Sequence, residues 1–115
     1  MQKTNLLQTA NNAKLFEYIN IGQLNGNTLT VLQAENRTLD FHVHKVSDEL
    51  FYVLEGQFTL EFDESAVTLA AGDLIIVPKG IRHRPVVTTR VTCLLMELDG
   101  TLNAKNTGGA VAQNL

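Results

Sequence analysis

The stretch "FHVHKVSDELFYVLEG", residues 41–56, holds two of the chain's three histidines. His42 and His44 stand two positions apart in a segment whose alternation predicts a β-strand, and such positions share one face of a strand. Glu49 follows His44 by an odd number of residues, so a straight strand would place it on the other face. Because "KVSD" has the Ser-Asp chemistry of a turn, we expect Glu49 to open the next strand and face the same interior.

The third histidine lies in "GDLIIVPKGIRHRP", residues 72–85. Gly72 turns into a strand, Pro78 ends it, and Gly80 turns the chain again before His83. A lone histidine is more often a packed or solvated residue than a ligand. Here all the histidines follow tight turns near strand ends, together with one glutamate. Three neutral imidazoles and one carboxylate suit one divalent transition-metal ion per chain: Zn, Ni, Mn, Fe, Co or Cu.

Most of the remaining sequence alternates with a period of two, which predicts strands and not helices. About eight or nine short strands, roughly 8–12 residues apart, are typical of an all-β sandwich or barrel. Asn25-Gly26 predicts a hairpin turn between the first two strands. The predicted strands are 17–21, 28–34, 38–44, 49–55, 57–62, 66–70, 74–78, 83–89 and 90–98.

Length and composition predict one domain spanning the 115 residues. We expect a barrel over about residues 16–99, an N-terminal arm over 1–15 that is either a short helix or irregular, and an extended or partly mobile tail over 100–115.

The net charge is −3 and the basic residues are scattered singly, so we expect no nucleic-acid partner. The sequence carries no apolar run of membrane-spanning length, and its single cysteine, Cys93, fits a reducing, cytoplasmic location.

Two predicted strands, "LIIVP" (74–78) and "CLLM" (93–96), are apolar at consecutive positions. An antiparallel strand with one solvated face should alternate between apolar and polar residues. Either the core is thick and two-sided, or a second subunit covers the outer face of one sheet. We expect the second arrangement and therefore a homodimer.

Four further positions invite a functional interpretation and have a simpler structural one. Asp48 either contacts a metal ligand or, more often, is the turn's own hydrogen-bonding residue. Arg82 and Arg84 flank His83 and would point away from it on a strand, which favours a role at the rim. Tyr52 alternates away from Glu49, which favours packing. Cys93 either lines the pocket or is a small buried core residue, and we favour the core.

The motif spacing resembles that of the cupin superfamily. That family's first motif is G-x5-H-x-H-x4-E-x6-G, and its second is G-x5-P-x-G-x2-H-x3-N. The departures are Asn36 at the leading glycine and Val87 at the closing asparagine. Asn36 is a mild departure because Asn tolerates the left-handed conformation. The matching residues are His42, His44, Glu49, Gly56, Gly72, Pro78, Gly80 and His83.

The resemblance implies an antiparallel double-stranded β-helix, or jelly-roll barrel, with His42, His44, Glu49 and His83 as metal ligands. Related cupins include dioxygenases, isomerases, lyases and decarboxylases, and the chain is similar to small single-domain cupins labelled mannose-6-phosphate isomerase-like. We expect a metal-dependent enzyme acting on a small metabolite inside the barrel, with no reaction or catalytic residue assigned. The alternatives are a non-catalytic binding or sensing module and a scaffold with a vestigial site.

Overall fold

The computed structural model describes residues 1–109; residues 110–115, the end of the predicted tail, lie outside the described part. Over that part the chain is almost entirely β-structure, with one short helix ahead of nine strands. In chain order the elements are α1 (Leu6–Asn11), β1 (Ile19–Leu24), β2 (Asn27–Ala34), β3 (Arg37–Thr38), β4 (Glu49–Glu55), β5 (Gln57–Phe62), β6 (Ala66–Ala70), β7 (Leu74–Val77), β8 (His83–Val87) and β9 (Val91–Leu98).

The strands form two antiparallel sheets that face each other across one core. The first sheet has the order β1-β2-β9-β4-β7 and the second the order β3-β8-β5-β6. This confirms the predicted all-β, double-stranded β-helix fold. Each large apolar side chain in the core stabilises the fold by about 1.5–3 kcal/mol relative to exposure. The core includes Phe51, Val53, Phe58, Leu60, Leu69, Cys93 and Leu95.

Short polar sequences set the ends of the first elements. The side chain of Asn5 accepts a hydrogen bond of 2.9 Å from the Gln8 amide and caps α1, so the predicted arm contains a short helix. Asn25 and Gly26 both have positive φ, 51° and 81°, as the predicted hairpin between β1 and β2 requires. No helix within residues 1–109 is long and apolar enough to cross a membrane.

The predicted strand over 38–44 is largely wrong. The segment contains only the end of β3 and an isolated bridge at His42. Its amides bond to different partners: Leu39 donates to the Pro85 carbonyl, and Asp40 to the Gly108 carbonyl. Because Pro85 has no N–H to return, a regular ladder cannot form here.

The outer face of the five-stranded sheet is apolar at its β7 edge. Leu74 and Ile76 are 57% and 55% exposed, and they pair in register with Tyr52 and Leu50 of β4. On the opposite face of β7, Val77 is buried. The strand "LIIVP" is therefore apolar on both faces, and its outer face is open in the single chain.

Residues 100–109 fold back across the barrel and are called the C-terminal strap below. Thr101, Leu102 and Thr107 are buried, and the side-chain amide of Asn106 donates to the Thr101 carbonyl at 2.7 Å. This differs from the extended or partly mobile tail that the sequence predicts. Buried Leu102 supplies an apolar anchor that the polar composition around it hides.

Candidate metal centre

Side chains from one connecting segment and two strands converge in the barrel. His42 and His44 lie between β3 and β4, Glu49 is the first residue of β4, and His83 is the first residue of β8. One nitrogen or oxygen from each lies within 4.8 Å of all the others. His44, Glu49 and His83 are buried, and His42 is half-buried. The structure thus brings together all four residues that the sequence predicts as metal ligands.

Backbone hydrogen bonds hold the histidine-bearing segments against each other. The His42 amide donates to the His83 carbonyl at 2.9 Å, and the His83 amide returns a bond to the His42 carbonyl at 3.0 Å. The Gly80 amide donates to the His44 carbonyl at 2.8 Å. Main-chain hydrogen bonds alone therefore fix the positions of the three histidine backbones relative to one another.

The turn over residues 45–48 delivers Glu49 to the same interior. The Ser47 hydroxyl accepts a bond from the Leu98 amide at 2.9 Å, which docks the turn on β9. The Asp48 carboxylate accepts a bond from the Lys79 amide at 2.9 Å, which ties the turn to the loop after β7. Asp48 therefore joins this turn to a distant loop, whereas the simpler interpretation predicted a hydrogen bond within its own turn.

Backbone carbonyls select the protonated nitrogen of two imidazoles. His42 Nδ1 lies 2.8 Å from the Asp40 carbonyl, and His83 Nδ1 lies 2.8 Å from the Ile81 carbonyl. Because a carbonyl only accepts, each Nδ1 must carry the hydrogen. Each Nε2 then keeps its lone pair for the cluster, which is the usual outer support of a metal-binding histidine.

The Glu49 carboxylate lies at the centre of the buried cluster. Its Oε1 is 3.1 Å from His83 Nε2 and 3.3 Å from His44 Nε2. Burial alone would raise the pKa of Glu49, but its interactions with His44 and His83 outweigh this and lower the pKa to about 2. Burial alone would lower the pKa of His83, but the hydrogen bonds to Glu49 and to the Ile81 carbonyl outweigh burial and raise it. The cluster therefore favours an anionic carboxylate beside a positive charge.

His44 is the residue that hydrogen bonding leaves unexplained. Both of its ring nitrogens are buried without a hydrogen-bond partner. Its Nε2 is within ion-pair distance of Glu49 but outside hydrogen-bond geometry. A buried polar atom without a partner is costly, and a metal ion that accepts the Nε2 lone pair would remove that cost at Nε2. Three imidazole nitrogens and one carboxylate oxygen therefore fit a divalent transition metal.

A cavity lined by His42, His44 and Glu49 has otherwise mostly apolar walls. Tyr18 from the segment before β1 and two strap residues, Leu102 and Thr107, belong to these walls. Burial raises the pKa of Tyr18, and the nearby charge of Glu49 adds to the effect, so its phenol stays protonated. Sequence reasoning missed these three residues. Strand alternation places Tyr18 and Asn20 on one face but does not indicate whether that face is inside the barrel. The sequence of the strap has no periodicity from which the burial of Leu102 and Thr107 could be predicted.

Glu97 is a second buried carboxyl that sequence reasoning missed. It is 2% exposed, and its Oε2 has no hydrogen-bond partner. Burial and the negative charge of Glu49 raise the pKa of Glu97 to about 8, so the group is mostly protonated at neutral pH. The sequence feature that could have indicated its burial is its position two residues after Leu95, because alternate residues of a strand face the same side.

Arg82 and Arg84 lie outside the cavity, as the rim interpretation predicted. Arg82 forms an ion pair with Asp63 at 2.6 Å, and Arg84 forms one with Glu61 at 2.7 Å. Both guanidinium groups also stack on the Phe41 ring, at 4.0 and 4.4 Å from its centroid. These contacts hold both cations on the surface of the second sheet.

Tyr52 and Cys93 also follow their structural interpretations. Tyr52 is half-buried and pairs in register with Leu94 and Leu74 on the outer face of the first sheet. Cys93 belongs to the buried core, and burial raises the pKa of its thiol to about 12. The thiol lines the apolar interior and is not among the residues that line the cavity beside His42, His44 and Glu49.

Comparison with known proteins agrees with this geometry. Residues 28–99 match the cupin domain family Cupin_2. "Uncharacterized protein YdbB" of Bacillus subtilis is 37% identical over 97 residues, which cover 81% of this chain and 83% of that protein. A cupin-2 domain protein of Shewanella frigidimarina superposes with a TM-score of 0.74 at 24% identity, covering 79% of this chain and 88% of the other.

A third comparison concerns an enzyme of known reaction. Hydroquinone 1,2-dioxygenase of Sphingomonas sp. TTNP3, solved with 4-hydroxybenzoate bound, superposes with a TM-score of 0.69 at 18% identity, covering 84% of this chain and 73% of that chain. At this identity the likeness shows a shared fold alone. The match to the family over most of the barrel, together with the relative in Bacillus subtilis, establishes that the chain belongs to the cupin domain family.

Proposed function

We propose that the protein is a metal-dependent enzyme that binds one divalent transition-metal ion through His42, His44, Glu49 and His83 and acts on a small molecule inside the barrel. The observation that carries the proposal is the buried His44 ring, whose two nitrogens lack hydrogen-bond partners inside a cluster of nitrogen and oxygen donors. Four protein ligands on a six-coordinate ion would leave two positions for a ligand, which is typical of a catalytic site.

The chain's own groups prepare the site for such chemistry. A bound divalent ion would polarise an oxygen atom of the substrate or acidify a bound water. Apolar walls, including Phe51 and Leu95, exclude bulk water and strengthen electrostatic interactions inside. Glu97 holds a proton near Glu49 without adding a second negative charge. Tyr18 likewise presents a protonated phenol on the wall of the cavity.

A second candidate is a non-catalytic module that binds or senses a small molecule at the same metal. The apolar walls favour it, because they contribute few groups that could move protons. Turnover distinguishes the two candidates, since a binding module would return its ligand unchanged. Hydroquinone dioxygenase shares the fold, and fold alone does not choose among the dioxygenase, isomerase and lyase classes that the cupin resemblance includes.

Metal analysis is the direct test. The protein is stripped with a chelator, dialysed separately against Mn, Fe, Co, Ni and Zn, and analysed for bound metal. We expect about one ion per chain, as a single four-ligand site requires. Failure to retain any of the five ions would contradict the proposal. Incubation of the loaded protein with a panel of phenols, keto acids and sugars, with and without dioxygen, then tests for turnover.

A further inference from the structure

A second, smaller polar cavity lies where β9 ends and the C-terminal strap begins. Its volume is about 30 Å³, whereas one water needs roughly 10–15 Å³, so it has room for a single small ion together with a water. Four of the six residues that line it carry a side-chain oxygen, and none of the six is a predicted ligand of the candidate metal centre. The six are Asn20, Thr28, Glu97, Asp99, Gly100 and Leu102.

Strand pairing brings the oxygen atoms of this cavity together. Thr28 of β2 pairs in register with Glu97 of β9, and Asp99 follows Glu97 by two residues. The Thr28 hydroxyl donates to Asp99 Oδ1 at 2.8 Å. Because that bond uses the only hydrogen of the hydroxyl, the lone pairs of its oxygen remain available to a cation. The Asp99 amide donates to the Gly26 carbonyl at 2.9 Å, which fixes the turn that carries this carboxylate.

Glu97 is the residue that points to a bound ion. It is 2% exposed, and its Oε2 is buried without a hydrogen-bond partner. All nine Lys and Arg residues lie within the described range, and none of them lines the cavity. Burial, with the charge of Glu49, raises the pKa of Glu97 to about 8, so a proton neutralises this carboxyl when no cation does. An unpartnered buried oxygen beside a second carboxylate is costly, and a divalent cation would remove that cost.

We propose that this cavity binds one Ca²⁺ ion between the Glu97 and Asp99 carboxylates and the Thr28 hydroxyl. Asn20, the main chain of Gly100 and water would complete its shell. Ca²⁺ accepts about six to eight oxygen ligands in a flexible geometry, which suits donors that come from three strands and a turn. The lining has no imidazole and no thiolate, so a transition metal would prefer the histidine cluster. The proposal is therefore independent of the metal-dependent function proposed above.

The burial of the donors indicates how the ion would enter and what it would hold. Asn20, Asp99 and Gly100 are exposed, whereas Thr28 and Glu97 are buried, so an ion can approach from solvent without opening the barrel. Leu102 lines both this cavity and the one beside His42, His44 and Glu49. A bound ion would therefore hold the beginning of the strap in place next to the candidate metal centre.

Calorimetric titration of the full chain with CaCl₂ tests the proposal. The chain is treated with a chelator, dialysed and titrated at constant ionic strength. We expect about one Ca²⁺ per chain with a Kd of about 0.1–1 mM, the range of weak oxygen-ligand sites. Glu97→Gln and Asp99→Asn each remove one ligand charge and should weaken binding by at least about tenfold. Glu64→Gln makes the same chemical change at an exposed position and should bind as the parent does.

A variant of the histidine cluster separates the two sites. His83→Ala removes a predicted transition-metal ligand and should leave Ca²⁺ binding unaltered, whereas loss of Ca²⁺ binding in this variant would assign the ion to the histidine cluster and overturn the proposal. No binding by the parent chain at about 10 mM CaCl₂ would mean that the cavity holds water alone, and would also overturn it. Parental affinity in both carboxylate variants would do the same. If Glu97→Gln does not fold, Asp99→Asn, at an exposed position, decides the question.

Discussion

The Nε2 atom of His83 faces Glu49 Oε1 at 3.1 Å, while Nδ1 of the same ring donates its hydrogen to the Ile81 carbonyl. A neutral His83 would therefore direct a lone pair at a carboxylate oxygen. That arrangement is stable only with a positive charge between or on the two groups, either a proton on His83 or a metal ion. Protons and metal consequently compete for the same lone pairs.

The first prediction is that acid releases the metal. Glu49 stays ionised down to about pH 2, so protonation of the three histidines sets the release. Because the free histidine pKa is about 6.5 and bound metal lowers the apparent value, we expect full retention at about pH 7.5 and loss at about pH 4.5. Dialysis at the two pH values followed by metal analysis measures this. Equal metal content at both would contradict histidine ligation.

The second prediction concerns the ligands themselves. His42→Ala and His83→Ala should each weaken metal binding by about tenfold or more, since each removes a primary ligand. Asp48→Asn is the control, because Asp48 bonds to the Lys79 amide in the neighbouring turn. Competition with a chromophoric chelator gives the affinities. Wild-type affinity in both histidine variants would rule out the four-residue site.

The third prediction tests the packing of the strap against the site. A Cβ atom on Gly108 would lie 2.9 Å from His42 Nδ1 and 2.8 Å from the Asp40 carbonyl oxygen. Gly108→Ala should therefore displace the strap or the imidazole and weaken metal binding by about tenfold, the usual effect of disturbing an outer-shell partner.

Gly109→Ala is a matched control for this change. Gly109 also has positive φ, 84° against 69° at Gly108, but its added Cβ would come no closer than 3.4 Å to a neighbouring atom. Both variants carry the backbone strain, of about 1–2 kcal/mol, and only Gly108→Ala adds the steric clash. Identical metal affinities in the two variants would mean that the strap does not support His42.

The fourth prediction concerns Glu97 and stability. Its pKa is raised to about 8 in the folded protein, so the folded state binds more protons than the unfolded state between about pH 4.3 and pH 8. The stabilisation is complete below that range and is lost as pH rises through it, at about 1.4 kcal/mol per unit of pKa shift.

Glu97→Gln should remove this pH dependence, because the amide does not titrate. Urea unfolding of the metal-free protein at several pH values measures the slope, and Glu64→Gln, at an exposed position, is the control. A wild-type slope in Glu97→Gln would show that Glu97 does not carry a raised pKa.

The fifth prediction is a homodimer formed through the outer face of the first sheet. Leu74 and Ile76 are more than half exposed on that face, and pairing with a second copy would bury them. The double variant Leu74→Lys, Ile76→Lys should be monomeric, with a mass near 12.7 kDa. Light scattering at micromolar concentration gives the mass. Val67→Lys, on the second sheet, should remain dimeric, and a monomeric wild-type chain would contradict the prediction.

The sequence predicts the strands well where one face of the sheet is apolar and the other is polar. β4, β5 and β6 have the predicted bounds because their inward positions are apolar and turn residues flank them. The segment over 38–44 alternates equally well, yet its hydrogen bonds go to several different partners, in β8, in the loop before it and in the strap, which local alternation does not predict. Asn36 does adopt the left-handed conformation expected of it, with φ of 48°.

The convergence of His42, His44, Glu49 and His83 could be predicted because turn chemistry and spacing are local properties of the chain. The cavity walls could not, because they depend on contacts between distant segments. Leu102 and Thr107 reach the site only when the strap folds back over the barrel. Glu97 shares the register of Leu95 in β9, and only the folded structure shows that this register faces inward.

The bridge between His42 and His83 holds two parts of the barrel together without using the imidazole rings. The two hydrogen bonds that join these residues belong to the main chain and do not involve the imidazoles. Replacing either ring leaves both bonds available, so ligand variants should fold as the parent does. We therefore expect the backbone of the proposed site to persist when one donor is exchanged, so that the choice of ion would depend on the side chains alone.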